Sequence, residues 1–219
     1  ILEFNNGFYV GFVRQFNFGE ILIAEKSKGA NYNFVKIYQD KAKDYHILFR
    51  FFGQDGINYH DHLVNVVKNK PKIVDTYIFL SGESISDTYR AIYKGALKSN
   101  NILSGDVSNN RFLKDLNKLN RARQLNSSRN FIKANEVYQT ISNTSKQEKV
   151  FKLVNITSAA NISLETYEAA MKDYQEKYPN DPSLQLLSLD SYLLRKEYDK
   201  ALAAIDKLDN YIKGDSFLI

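Results

Sequence analysis

The chain has no cysteine, no tryptophan, one methionine and only three prolines in 219 residues. Without cysteine there can be no disulfide, no thiolate nucleophile and no sulfur-ligated zinc or iron–sulfur cluster. Three prolines and ten glycines, beside a hydrophobic content of 43%, describe a globular chain and exclude a low-complexity linker. No apolar run approaches the roughly 20 residues that cross a bilayer, so no membrane span is expected. Also missing are a glycine-rich phosphate loop, a nucleophile elbow, a His-Glu-x-x-His helix and a recognisable pair of catalytic carboxylates. Ser81-Gly82-Glu83 reads as a strand-to-helix corner rather than a nucleophile. The expectation is a non-catalytic protein with no cofactor and no metal.

The net charge of +5 is unevenly spread. Residues 1–105 carry 13 basic and 10 acidic groups, residues 106–159 carry 10 and 4, and residues 160–219 carry 7 and 11. The lysines are scattered singly, which argues for complementary packing or a polar interaction surface and against a nucleic-acid partner. The opening "ILEFNNGF" is already apolar and lacks an initiating Met. It suggests an exported bacterial protein whose upstream signal segment has been removed.

Tyrosine and phenylalanine are abundant, at 15 and 14, and their spacing changes along the chain. Apolar residues at Phe8, Phe12, Phe16, Ile21 and Leu22 predict helices near 6–14 and 17–27, ending at Gly29. From Tyr32 the period is two. "NYNFVKIYQ", "DYHILFRFFG", "INYHDHLVNVV" and "KIVDTYIFLSG" are β-branched and aromatic runs parted by "DKAK", "QDG" and "KNKP". Connections this short require antiparallel neighbours and predict a four-stranded meander. Ser84, with Asp87 three residues later, predicts the start of the next helix.

From Phe112 onward the pattern is helical. "KEYDKALAAIDKL" has Tyr198, small Ala201, Ile205 and Leu208 in the spacing of the second helix of a tetratricopeptide repeat. One period earlier stand Tyr167, Met171 and Tyr174, and one before that Phe131, Ala134, Tyr138 and Ile141. Three helical hairpins follow, with Pro182 opening a helix and Gly214 closing the last one. The final "DSFLI" is either the stub of a further helix or a cap on the stack through Phe217 and Leu218. The fold class is therefore α+β, with N-terminal helices and the sheet in residues 1–105 and a helical-repeat domain in residues 106–219.

"GINYHDHLV…KIVDTYIFLSGESIS" resembles a group of uncharacterised bacterial proteins in which an N-terminal α+β domain precedes tetratricopeptide-like helices. The resemblance is strongest over Asn58–Glu83 and implies architecture without implying an activity, cofactor or catalytic residue. The α-α-β-β-β-β order also resembles cystatin-like and nuclear-transport-factor-like cones.

Two surfaces are candidates for function. "NYHDH" holds two of the three histidines, His60 and His62, with an aspartate between them. A type I′ turn at Asp55-Gly56 and a turn at Asn69-Lys70 would set Arg50 opposite Asp61, Phe51 opposite His60, and Phe49 and Tyr77 opposite His62. One face would then carry Ile47, Phe49, Phe51, His60, His62, Tyr77, Phe79, Val66 and Ile73, with Asp75 diagonal to His62. Core histidines bonded to Asp75, Tyr77 or backbone are one reading. A small-ligand pocket lined by His60, His62, Asp75, Tyr77, Phe49 and Phe51 is another. A metal site would need a third and fourth ligand, and only Asp75 is in view. The second surface is the groove of the helical repeats, where Asn117, Arg121, Arg123, Asn155, Gln185 and Asp190 would face a protein or peptide. A protein- or peptide-binding scaffold is the leading expectation, with a small-ligand-binding α+β domain as its rival.

Overall fold

The computed structural model describes residues 2–15, 17–53, 56–98 and 110–218. The chain divides into two compact units, each built from two stretches: 1–12 with 88–180, and 13–87 with 181–219. The sequence reading cuts once, after residue 105. The contacts instead place the last helical hairpin with the sheet.

The second unit contains α2 (Phe18–Ser27), β1 (Asn31–Gln39), β2 (Tyr45–Gly53), β3 (Gly56–Val67), β4 (Lys70–Ile78) and β5 (Glu83–Ser84), then α8 (Ser183–Leu194) and α9 (Tyr198–Ile212). The strands form one antiparallel sheet in sequential order. Four strands are expected and five are present among the described residues, because the chain turns at Ser81-Gly82 and Glu83-Ser84 pairs back on Tyr77-Ile78. Gly82 takes φ 62° at that corner, a conformation glycine adopts without steric cost.

The predicted strand pairing is corrected at both later hairpins. Between β2 and β3, Gly53 pairs with Gly56, Leu48 with Asp61, Phe49 with His60 and Ile47 with His62. This is two residues from the expected alignment, so every side chain keeps its predicted face while its partner changes. Gln54 and Asp55, where the sequence reading begins its turn, lie outside the described residues. Between β3 and β4 the slip is one residue, which reverses the faces. Lys68 and Asn69 are the two turn residues, with φ of 51° and 60°, and His62 pairs with Thr76, Asp61 with Tyr77 and Leu63 with Asp75. Thr76 and Ile78 thus join the imidazoles, while Asp75, Tyr77 and Phe79 leave them. A bulge beside Val64, which pairs with Ile73, returns Ile73 to its predicted face. The slip carries the Asp75 carboxylate to the start of α3 (Ile85–Lys98), where Ser86 N–H and its hydroxyl bond it at 3.2 and 2.6 Å. A carboxylate among the apolar rings would have had no such donors.

One face of the sheet is covered by the α8–α9 hairpin. Leu48, Tyr59 and Phe79 pack with Leu186, Leu208 and Ile212, and Tyr77, Val35 and Leu218 fill in around them. Burying each such side chain contributes roughly 1.5–3 kcal/mol. Phe217 and Leu218, expected to extend or cap a helical stack, pack against the sheet. Phe217 lies under the Arg50 guanidinium, 4.0 Å from the ring centroid, on this sheet face.

The first unit contains the body of α3 with α4 (Arg111–Ser127), α5 (Phe131–Gln139), α6 (Lys149–Ala159) and α7 (Leu164–Lys177), together with the start of α1 (Leu2–Gln15). Phe8 of α1 packs edge-on to Tyr93 of α3 at 5.2 Å. Asn110 caps α4 by accepting from Leu113 N–H at 3.1 Å and donates to Ala96 O at 2.9 Å. Helix α4 packs on α5, and α6 on α7. Of the repeat positions named from sequence, Ala134, Tyr138, Ile141, Tyr167, Tyr174, Ala201 and Leu208 are buried, Phe131, Met171 and Ile205 are half-buried, and Tyr198 is 58% exposed.

Candidate functional site

On the sheet face opposite α8–α9, the two imidazoles are part of a closed hydrogen-bond chain. Asn58 Oδ1 accepts from the N–H groups of Tyr59 at 2.8 Å and Leu80 at 2.9 Å. That fixes its amide orientation and leaves Nδ2 to donate to His60 Nε2 at 3.2 Å. His60 then carries its proton on Nδ1, which donates to Tyr32 Oη at 3.3 Å. The Tyr32 hydroxyl donates to His62 Nε2 at 2.7 Å, and His62 Nδ1 donates to Thr76 Oγ1 at 2.8 Å. The network thereby assigns both tautomers.

Aromatic rings close over this chain. Tyr32 stacks on Phe49 at 4.7 Å, Phe51 on His60 at 5.9 Å, and Phe18 of α2 meets His60 and His62 edge-on at 5.2 and 5.8 Å. Burial drives the His60 pKa down to about 3, with His62 adding to the effect. Burial also lowers His62, against the Asp61 charge, and raises the Tyr32 hydroxyl. Both rings are neutral, and all four of their nitrogens are engaged. Of the six residues predicted for a ligand pocket, Phe49, Phe51, His60 and His62 come together, while Asp75 and Tyr77 are on the other face. Phe18, Tyr32, Asn58 and Thr76 complete the cluster, and strand parity alone could have supplied Asn58.

His46 lies on the opposite face, as the register predicts. It stacks on Tyr38 at 5.0 Å and places Nδ1 3.1 Å from Asp61 Oδ2, which also accepts from Tyr38 Oη at 2.5 Å. The predicted Arg50–Asp61 pair is absent. Arg50 binds Asp215 instead. Among the described residues, no three His, Asp or Glu side chains gather as a metal site would need.

The second surface is a groove of about 350 Å³ in the first unit. Its walls are helical stripes at i, i+3, i+4 and i+7 spacing. Asn135, Tyr138 and Gln139 come from α5, Lys152, Asn155 and Ala159 from α6, and Thr166, Ala169, Ala170 and Asp173 from α7. Asn143, Lys146 and Gln147 close one end. Lys152 is 2% exposed and its ammonium is paired with the Asp173 carboxylate. The Lys146 ammonium sits 5.0 Å from the Tyr138 ring centroid and bonds Gln139 O at 3.2 Å. Burial lowers the Lys146 pKa, against the pull of Asp115.

Of the groove residues named from sequence, Asn155 lines this space. Asn117, Arg121 and Arg123 are exposed on α4 and are not in its lining, and Gln185 belongs to α8 in the other unit. The Asp190 side chain lies outside the described residues. The polar stripe Asn135–Tyr138–Gln139, visible as a spacing in "KANEVYQT", is not among the first-helix positions expected from sequence. No protein-family model matches the chain, and no curated protein or solved structure matches it.

Proposed function

We propose that the chain is a non-catalytic module that binds an extended segment of another protein in the α5–α7 groove, with helices arranged in the manner of tetratricopeptide repeats. The observation that carries the reading is the lining of that groove. Asn143, Gln147 and Asn155 offer carboxamides, with donors and an acceptor that match the alternating N–H and C=O groups of a peptide backbone. Gln139 donates to Asn135 Oδ1 at 3.1 Å and accepts from Lys146 at 3.3 Å, so Asn135 contributes its Nδ2 donors. Ala159, Ala169 and Ala170 leave room for the backbone to approach the helices. The kinship with bacterial proteins that join an α+β domain to tetratricopeptide-like helices belongs to the same proposal and rests on Asn58–Glu83. The imidazole cluster supports a ligand site less well, because its polar atoms are consumed by one another.

The test is selection of a displayed random-peptide library on the full chain, followed by fluorescence anisotropy of the selected peptides. Asn135→Ala and Asn155→Ala should each weaken binding by roughly three- to tenfold, the value of one hydrogen bond. Arg121→Ala, outside the groove, should leave affinity unchanged. Selected peptides that bind the Asn135→Ala/Asn155→Ala double variant as tightly as the parent would refute the assignment.

A further inference from the structure

The β3–β4 hairpin projects beyond the rest of the sheet. Tyr45, the first residue of β2, pairs with Val64, so Asn65–Val67 and their partners Lys70–Lys72 extend past β2. Three residues at a strand rise of about 3.3 Å make a finger roughly 10 Å long. Its apolar side chains point into solvent. Val66 is 67% exposed and Ile73 56% exposed, and Val67 and Val74 are exposed beside them. Residues 63–74, "LVNVVKNKPKIV", contain Lys68, Lys70 and Lys72 and no acidic residue. All three lysines are exposed, and none forms an ion pair among the described residues. The adjacent β1–β2 turn carries Lys41 and Lys43 against Asp40 and Asp44, so the net positive charge at this end of the sheet belongs to the finger. Apolar exposure continues down the same face through Tyr45, Ile37 and Phe34.

Two features of the finger run against what stability alone would select. An exposed hairpin tip normally carries polar residues on its open face, yet valine and isoleucine stand there. Lys68 takes φ 51° in a turn that suits Asn-Gly or Gly-Gly. We infer that the β3–β4 hairpin docks the protein on an anionic lipid surface, with Val66, Val67, Ile73 and Val74 entering the headgroup region and Lys68, Lys70 and Lys72 meeting lipid phosphates and carboxylates. The charge complements such a surface. The reach of the finger matches the 5–10 Å to which interfacial segments bury their apolar side chains. Aliphatic side chains that point to both sides of a narrow ribbon suit a medium that surrounds it. The absence of arginine and of stacking aromatics at the tip disfavours nucleic acid.

Flotation of the full chain with phosphatidylcholine vesicles, with and without phosphatidylserine, tests the inference. The chain should float with the phosphatidylserine-containing vesicles only, and less as salt rises. Each lysine near an anionic surface strengthens partition about fivefold, so the Lys68→Gln/Lys70→Gln/Lys72→Gln variant should lose about a hundredfold. Val66→Thr/Ile73→Thr keeps the β-branched shape and should also release the protein, with an unchanged circular dichroism spectrum showing that the fold survives. Absence of flotation, flotation that ignores phosphatidylserine, or flotation retained by the triple variant would each overturn the inference. So would binding of the same lysines to a DNA or RNA oligonucleotide in place of vesicles, or a dimer in sedimentation that Val66→Thr/Ile73→Thr dissolves.

Discussion

Arg50 and Asp215, 165 residues apart, meet on the α8–α9 face of the sheet, where Arg50 Nη1 donates to both carboxylate oxygens at 2.8 and 2.6 Å. Tyr59 Oη donates to the same carboxylate at 2.8 Å, and the N–H of Phe217 at 3.1 Å. Gly214, at φ 96°, makes the turn out of α9 that delivers Asp215 to this place. Asp215→Ala would leave a largely buried guanidinium without its partner and should cost about 3 kcal/mol, read by urea denaturation of the full chain. Burial raises the Asp215 pKa, but the Arg50 bond and charge, the Phe217 N–H and the Tyr59 hydroxyl outweigh it, and the net shift is downward. That stabilisation is complete above the ordinary carboxylate range and is lost as pH falls through the depressed value. Asp215→Ala should therefore lose part of the parent's acid sensitivity.

Tyr32 is the middle of the imidazole chain, accepting from His60 and donating to His62. Tyr32→Phe keeps the ring stacked on Phe49 but strands two buried ring nitrogens. The expected loss is about 2–3 kcal/mol, more than the removal of one exposed hydroxyl would cost. Equilibrium unfolding measures it, and a loss below about 0.5 kcal/mol would show that the chain is not continuous.

The sheet was legible in sequence because its strands alternate and its loops are short. What sequence could not fix is which two residues of "VKNKP" turn. Moving that turn from Asn69-Lys70 to Lys68-Asn69 exchanges Thr76 for Tyr77 beside His62. The β2–β3 alignment moved by an even number of residues, so its face assignment survived a wrong pairing. Local pairing offers Arg50 only Asp61 as an acidic partner. Asp215 enters only through the long-range docking of α9, which no local period encodes. The same docking explains why the third hairpin, whose repeat spacing resembles the other two, belongs with the sheet.

The neutral His60 sets a pH dependence with the opposite cause. An unfolded histidine takes up a proton near pH 6.5, while the folded ring resists it to about pH 3. Between those values the unfolded state binds more protons, so stability is full above pH 6.5 and falls as the solution is acidified. The slope from this group approaches 1.4 kcal/mol per pH unit. His60→Gln should be less stable at neutral pH yet show a shallower decline between about pH 6.5 and 4, where the decline that remains includes that of His62, whose pKa burial also lowers.

Gly95 in α3 is held by its neighbour. A methyl group there would meet the Phe112 ring at 2.5–2.8 Å, inside the core that Phe112 shares with Ala96 and Phe151. Gly95→Ala, which in an exposed helix gains about 1 kcal/mol, should here lower stability by about 1–3 kcal/mol through overpacking. Gly95→Ala combined with Phe112→Leu should recover part of that loss, which a propensity effect alone would not produce.

Lys68 offers a case in which stability and docking should move in opposite directions. A side chain in the left-handed region costs a lysine roughly 1 kcal/mol, and Asn-Gly is the preferred pair for a turn with φ above zero at both central residues. Lys68→Asn/Asn69→Gly should accordingly raise stability by about 1 kcal/mol in thermal or urea unfolding. The same change removes one of the finger's three cationic side chains and should weaken flotation with phosphatidylserine vesicles about fivefold. A hairpin kept only for its fold would gain the first effect without the second. If both appear, the strained lysine is retained at the tip for the surface it meets.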